Sequence, residues 1–138
     1  DQYKFILIDC PPSLGLLTIN AFTAADEVMV PLQCEFLAMR GLDQLVDVVN
    51  RIQRRLNPSL KFLGIVPTMF NARRQHSRQV LDKVREKYPG RLLDAAIPES
   101  IRFAEAPERK LTIFEHDSSG EGAAGYNALA ELILNGHQ

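Results

Sequence analysis

Cysteine is scarce in this chain: Cys10 and Cys34 stand far apart, without C-x-x-C spacing or nearby histidine pairs. They support neither a zinc site nor a disulfide framework and suit a reducing cytoplasm. Long hydrophobic runs are missing too. No apolar stretch approaches the roughly 20 residues of a membrane-spanning helix, and nothing at the start resembles a signal peptide. Charge of one sign is not in excess either. The 16 basic and 17 acidic residues leave a net −1, so any pull towards nucleic acid or anionic lipid must come from a local cluster. His76, His116 and His137 lack metal-ligand spacing, and Ser13 and Ser77 have no G-x-S-x-G context, which removes hydrolase chemistry of the nucleophile-elbow kind. Internal repeats, low-complexity tracts and linkers are also absent.

What is present reads as one α/β unit. The chain has 138 residues, 46% of them hydrophobic, enough for a core in a single domain over 1–138. Phe5-Ile6-Leu7-Ile8 predicts a strand buried on both faces of a parallel sheet. Asp9 stands where that run stops. Pro11 and Pro12 then forbid both a continuing ladder and an immediate helix, and Ser13 is placed to cap a helix over Leu14–Ala21. A carboxylate at the end of a central parallel strand, followed by a rigid loop, is where open α/β sheets place ligand chemistry. Many strand-end aspartates only cap a loop, and the pattern alone leaves both readings open. The abrupt opening on a strand leads us to expect further residues upstream.

Strands and helices then alternate. Asp26–Leu32 predicts a second short strand stopped by Pro31. Ala38 to about Leu56 predicts a helix with Leu42, Leu45, Val46, Val49, Ile52 and Leu56 on one face, ended by Asn57-Pro58. Phe62–Val66 predicts a third strand closed by Pro67. Gln75–Tyr88 predicts a helix with Val80, Leu81 and Val84 inward, stopped by Pro89-Gly90. Leu92–Ile97 predicts a weaker strand closed by Pro98, Ile101–Ala106 one helical turn, Lys110–Phe114 a short edge element, and Glu121–Leu134 a final helix. Such alternation implies βαβ crossovers and a mostly parallel twisted sheet flanked by helices. Proline is a common strand terminator, but these prolines also suit the rim of a nucleotide pocket.

The run "LIDCPPSLG", together with "VPLQCEF", "GIVPTMFNARRQHS" and "IPESIRFAEAP", resembles the second half of a ParA-type partition ATPase, a member of the deviant Walker A class of P-loop proteins. Similar "DCPP" runs occur in MinD and in metal-centre assembly ATPases. The resemblance implies a P-loop NTPase-like sheet, ATP with magnesium as cofactors, a homodimer that binds DNA without sequence preference, and a centromere-binding ParB-type partner. It also implies a cytoplasmic, nucleoid-associated protein that positions chromosomes or plasmids. Carried over by position, Asp9 matches the Walker B carboxylate at the magnesium, and Cys10, Pro11, Pro12, Ser13 and Leu14 match the loop that senses the γ-phosphate. Thr68, Met69 and Pro98 fall where relatives wall the adenine. Arg73 and Arg102 match positions that contact DNA.

Other features of the family are not in these residues. A P-loop enzyme needs a glycine-rich turn and a lysine reaching the β and γ oxygens. Neither GxxxxGK[ST] nor KGGxGK[ST] occurs, and the glycine cluster Ser119–Gly125 carries Glu121 and no lysine. We therefore expect a carboxyl-terminal part of an ATPase that does not hydrolyse ATP alone. The alternative is a remnant that kept DNA or partner surfaces without catalysis. Arg73, Arg74, His76 and Arg78 crowd the start of a helix, where the dipole disfavours cations by some tenths of a kcal/mol each. That cluster reads either as a solvated face, with Arg74 or Arg78 paired to Asp82, or as a phosphate contact without base readout. Glu99 stands where relatives usually carry a basic residue, and Arg109-Lys110 replaces a more glycine-rich stretch; both weaken the expected DNA grip. Arg51, Arg54 and Arg55 read as solvated face. The tail 126–138 has no Lys or Arg, which argues against a MinD-like membrane helix. An unpaired sheet edge should make the isolated polypeptide poorly soluble or dimeric; a monodisperse, cooperatively melting monomer in sedimentation would count against this.

Overall fold

A computed structural model describes residues 2–11 and 13–136. In chain order the elements are α1 (Leu16–Ala24), β1 (Glu27–Gln33), α2 (Phe36–Arg55), β2 (Lys61–Thr68), α3 (Gln75–Lys87), α4 (Arg102–Glu108), α5 (Ile113–His116) and α6 (Glu121–Asn135). The chain falls into two compact units, one of Asp1–Val28 with Gly41–Leu63 and one of Met29–Arg40 with Gly64–Gln138. Strands β1 and β2 pair and contribute to both. The Lys61 N–H donates to the Asp26 carbonyl at 2.9 Å near the strand starts, and the Cys34 N–H donates to the Thr68 carbonyl at 3.2 Å near their ends. Start lies beside start, so the pair is parallel, and α2 supplies the crossover that a parallel pair requires. The fold is α/β with a parallel sheet and helices, as the alternation predicts.

In the first unit, α1 begins at Leu16, two residues past the start that Ser13 would cap. Its N-cap is Gly15 with no side-chain bond, and Ser13 instead lends its carbonyl to the Thr18 hydroxyl at 2.7 Å. Asn57 closes the other end of α1. Its buried side-chain amide donates to the carbonyls of Phe22 (3.1 Å) and Ala25 (2.8 Å), and its Oδ1 accepts from Ser59 Oγ at 2.7 Å. Helix α2 buries Leu42, Val49 and Ile52, with Leu45 and Val46 half-buried. Leu56 departs from the expected face: it lies past the helix end and is 54% exposed.

The opening run corrects the sequence reading. Residues 5–8 form no strand, and Ile6, Leu7 and Ile8 are 86%, 84% and 51% exposed. A doubly buried parallel strand needs hydrogen-bonding neighbours and covered faces. Among the described residues no strand pairs with this run, so β-propensity has nothing to act on.

The second unit is built on β2. Ile65 donates to the Arg91 carbonyl (2.7 Å) and accepts from Leu93 N–H (3.0 Å), and the Pro67 carbonyl accepts from Ile97 N–H (2.8 Å). Residues 92–98 thus run parallel to β2 through bridges at Ile65↔Leu92 and Phe70↔Pro98, without becoming a continuous strand. Pro67 has no N–H to offer the middle of that segment, where Asp94-Ala95-Ala96 also lacks β-formers. The prolines do not stop β1 and β2 as expected: Pro31 and Pro67 lie inside them. Alternation from Cys34 turns the missing N–H of Pro31 away from β2, the placement a sheet proline tolerates. Val66, Ala95, Ile97 and Leu129 form the core, with Phe103 and Leu132 packed on it. Helix α3 buries Val80, Leu81 and Val84 as predicted. The edge element expected at Lys110–Phe114 is absent; Thr112 and Glu115 form a capping box that starts α5 instead.

Helix α6 reaches residues 92–98 through a glycine. A Cβ on Gly125 would sit 2.6 Å from the Ala96 carbonyl oxygen, an atom that cannot swing aside. Gly125→Ala should destabilise the protein by about 1–3 kcal/mol, the scale of overpacking. Urea unfolding checks this, and a change within error would show that α6 relaxes freely.

Candidate functional site

Asp9 lies on an exposed loop, and its carboxylate makes no hydrogen bond or ion pair among the described residues. Cys10 is half-buried, with its thiol 3.8 Å from the Ile8 carbonyl, and Pro11 is exposed. Pro12 lies outside the described residues. No group of three or more His, Cys, Asp or Glu side chains among the described residues could cage a metal ion. One solvent-facing carboxylate nevertheless fits magnesium, which keeps several waters and takes one or two carboxylates beside phosphate oxygens. Asp9 supplies one such contact and no more.

Thr68, Met69 and Pro98 come together at the carboxyl end of β2. Phe70, next to Met69, bridges Pro98. The Phe70 N–H donates to Ile97 at 3.1 Å and the Phe70 carbonyl accepts from Glu99 N–H at 3.1 Å. Thr68 and Pro98 are half-buried. Met69 holds φ +50, a left-handed conformation uncommon outside glycine, and stands 57% exposed with its sulfur accepting from Gln33 Nε2 at 3.3 Å. A shallow depression of about 390 Å³ takes in Met69 but neither Thr68 nor Pro98, and is bordered by Cys34, Phe36, Arg74, Ser77 and Glu99. The buried Cys34 thiol is pushed up to about 11 by desolvation, so it remains a neutral packing group.

The basic positions are occupied unequally. Arg73 is exposed and its guanidinium carries no ion pair among the described residues; its backbone N–H is held by Asn71 Oδ1 at 3.0 Å. Arg74 pairs with Glu99 at 3.0 Å, where Asp82 was one expected partner; Asp82 pairs with Arg85 at 2.9 Å. Arg102 pairs with Glu105 at 3.0 Å and lies 4.0 Å from Asp117. The same Glu105 oxygen is 3.1 Å from Nε2 of His116, whose side chain is only 4% exposed. The spacing of Arg102 and Glu105 on one helix could have signalled their pair. Nothing in the sequence ties His116, on α5, to them.

The hydrogen bond from His116, then that from Arg102, hold the Glu105 carboxyl below its ordinary range. The Thr112 backbone N–H and hydroxyl do the same for Glu115. A depressed carboxylate contributes stability that is complete above its unfolded value and lost as pH falls through the folded one. Glu105→Gln should therefore lower the melting temperature near neutral pH, and the gap to wild type should close on the acid side of that range. A gap independent of pH would remove the assignment.

Known proteins resemble this chain over most of its length. An AAA domain model matches residues 1–62. The chain is 44% identical over 133 residues to the chromosome partitioning protein ParA of Caulobacter vibrioides, covering 96% of this chain and 50% of that one. It is 43% identical over 136 residues to the sporulation initiation inhibitor protein Soj of Bacillus subtilis, covering 98% and 54%. Cobyrinic acid a,c-diamide synthase of Mycobacterium smegmatis, solved with an ATP analog and magnesium, is similar at TM-score 0.75 and 40% identity, covering 91% of this chain and 45% of that one. No helix among the described residues is long and apolar enough to cross a membrane. The chain spans about half the length of the curated relatives it matches. Over that half the chain is similar in sequence to ParA and Soj along nearly its whole length.

Proposed function

We propose that residues 1–138 form the carboxyl-terminal part of a single ParA-type ATPase domain, which works in DNA partitioning once nucleotide is held mainly by segments outside them. The observation that carries this reading is the 44% and 43% identity to ParA and Soj across nearly the whole chain. The exposed carboxylate of Asp9, unpaired among the described residues, supports it. Bound ATP with Mg²⁺ would supply the scissile phosphoanhydride and the charge that offsets it. The Asp9 carboxylate would hold the magnesium through a water. Cys10, Pro11, Pro12 and Ser13, stiffened by two prolines, respond to the terminal phosphate. Thr68, Met69 and Pro98 present a proline- and thioether-bearing wall suited to a planar base. Arg73 and Arg102 contact DNA phosphates without reading bases, in an ATP-dependent homodimer whose turnover a ParB-type partner stimulates. On this reading the protein works in the cytoplasm on the nucleoid.

The test uses the gene product expressed from its own reading frame. Asp9→Ala should reduce Mg-ATP turnover by about two orders of magnitude or more, the scale of losing a group that organises transition-state charge. Arg73→Ala with Arg102→Ala should weaken DNA binding and flatten the log–log salt slope by about 2. Unchanged turnover in the first variant would sink the metal role. Absence of turnover in wild type, with DNA binding intact, would favour the non-catalytic remnant.

A further inference from the structure

Two basic side chains near the proposed DNA contacts already carry an anion. Arg74 Nη1 sits 3.0 Å from Glu99 Oε2, and Arg102 Nη1 sits 3.0 Å from Glu105 Oε2. In both pairs the arginine is the outer partner, with side-chain exposures of 62% against 44% and 51% against 33%. A phosphate arriving from solvent therefore reaches each guanidinium without unfolding anything. The carboxylates are placed by structure behind them. The Glu99 backbone is fixed by its N–H bond to the Phe70 carbonyl (3.1 Å), and the Glu105 carboxylate is held by the buried ring of His116 (3.1 Å). Carboxylate and phosphate oxygens compete for the same planar fork of donors, so one must leave for the other to bind.

We propose that Glu99 and Glu105 are internal counter-anions, occupying Arg74 and Arg102 until a DNA phosphate displaces them and thereby setting the strength and salt dependence of DNA binding. The proposal rests on the reading that this face contacts DNA, and adds Arg74 as a contact gated by Glu99. Arg73, unpaired among the described residues, provides the ungated contact. Because both pairs are part-exposed, each gate is worth a modest factor.

The experiment is a fluorescence-anisotropy salt titration of the ATP- and Mg²⁺-loaded gene product on a short duplex of arbitrary sequence. It compares wild type, Glu99→Gln, Glu105→Gln, the double variant and Arg73→Ala with Arg102→Ala. Each glutamine should tighten binding by about two- to fivefold, and Glu99→Gln should also steepen the log–log salt slope by up to ~0.9, the phosphate taken by a released Arg74. Wild-type affinity and slope in both glutamine variants, or weaker binding in either folded one, would overturn the proposal. Should Glu105→Gln fail to fold, the exposed Glu99→Gln decides alone. If wild type shows no salt-dependent binding, the DNA reading itself fails; if the arginine variant loses binding while both glutamine variants match wild type, only the counter-anion role fails.

Discussion

Ile65 is wholly buried, and its backbone bonds outward on both counts, to Arg91 at 2.7 Å and from Leu93 at 3.0 Å. That exchange fixes the register of residues 91–99 against β2, and the later bonds at Pro67, Phe70 and Glu99 inherit it. A slip by one residue would turn Ile97 away from the Val66–Leu129 core and carry Glu99 out of reach of Arg74. The candidate base wall and the Arg74 pair are thus products of one ladder. Sequence supplies the side chains; register decides which of them meet.

Around that ladder, charge is arranged by acids more than by bases. Arg102, Glu105, His116 and Asp117 belong to α4, α5 and the turn after it, and their hydrogen bonds and ion pairs stitch these short helices together. Neither helix has the length to be stable alone. The Thr112–Glu115 capping box begins α5, and Gly122 admits the Phe103 ring beside α6, where an added Cβ would come within 2.8 Å. Arg74, Arg85 and Arg102 each meet an acid, on their own helix or elsewhere in the chain, while remaining exposed.

Legibility in the sequence followed how local each determinant is. The inward face of α3 was readable because Val80, Leu81 and Val84 obey the helical period whatever surrounds them. Phe62–Val66 and Phe5–Ile8 look alike as apolar runs, yet among the described residues only the first has strand neighbours, and pairing is not written in either run. Pro31 and Pro67 were read as terminators because a proline lacks a donor. Its carbonyl still accepts, and the side it faces depends on register. For the candidate site, Asp9, Met69 and Arg73 were visible through motif resemblance. The Arg102–Glu105 pair follows from spacing on one helix, whereas the Arg74–Glu99 pair spans separate elements and His116 meets Glu105 from another helix, and neither of these is written in the sequence.

Asn57 has a consequence for how the first unit comes apart. Its amide spans the last carbonyls of α1 while its own backbone closes α2 through Ile52 at 2.9 Å. Two helix ends distant in sequence therefore share one residue, and neither can fray while the other stays shut. Local opening is pushed up to the scale of the whole α1–α2 assembly, so the amides at both ends should exchange with solvent as one cooperative group.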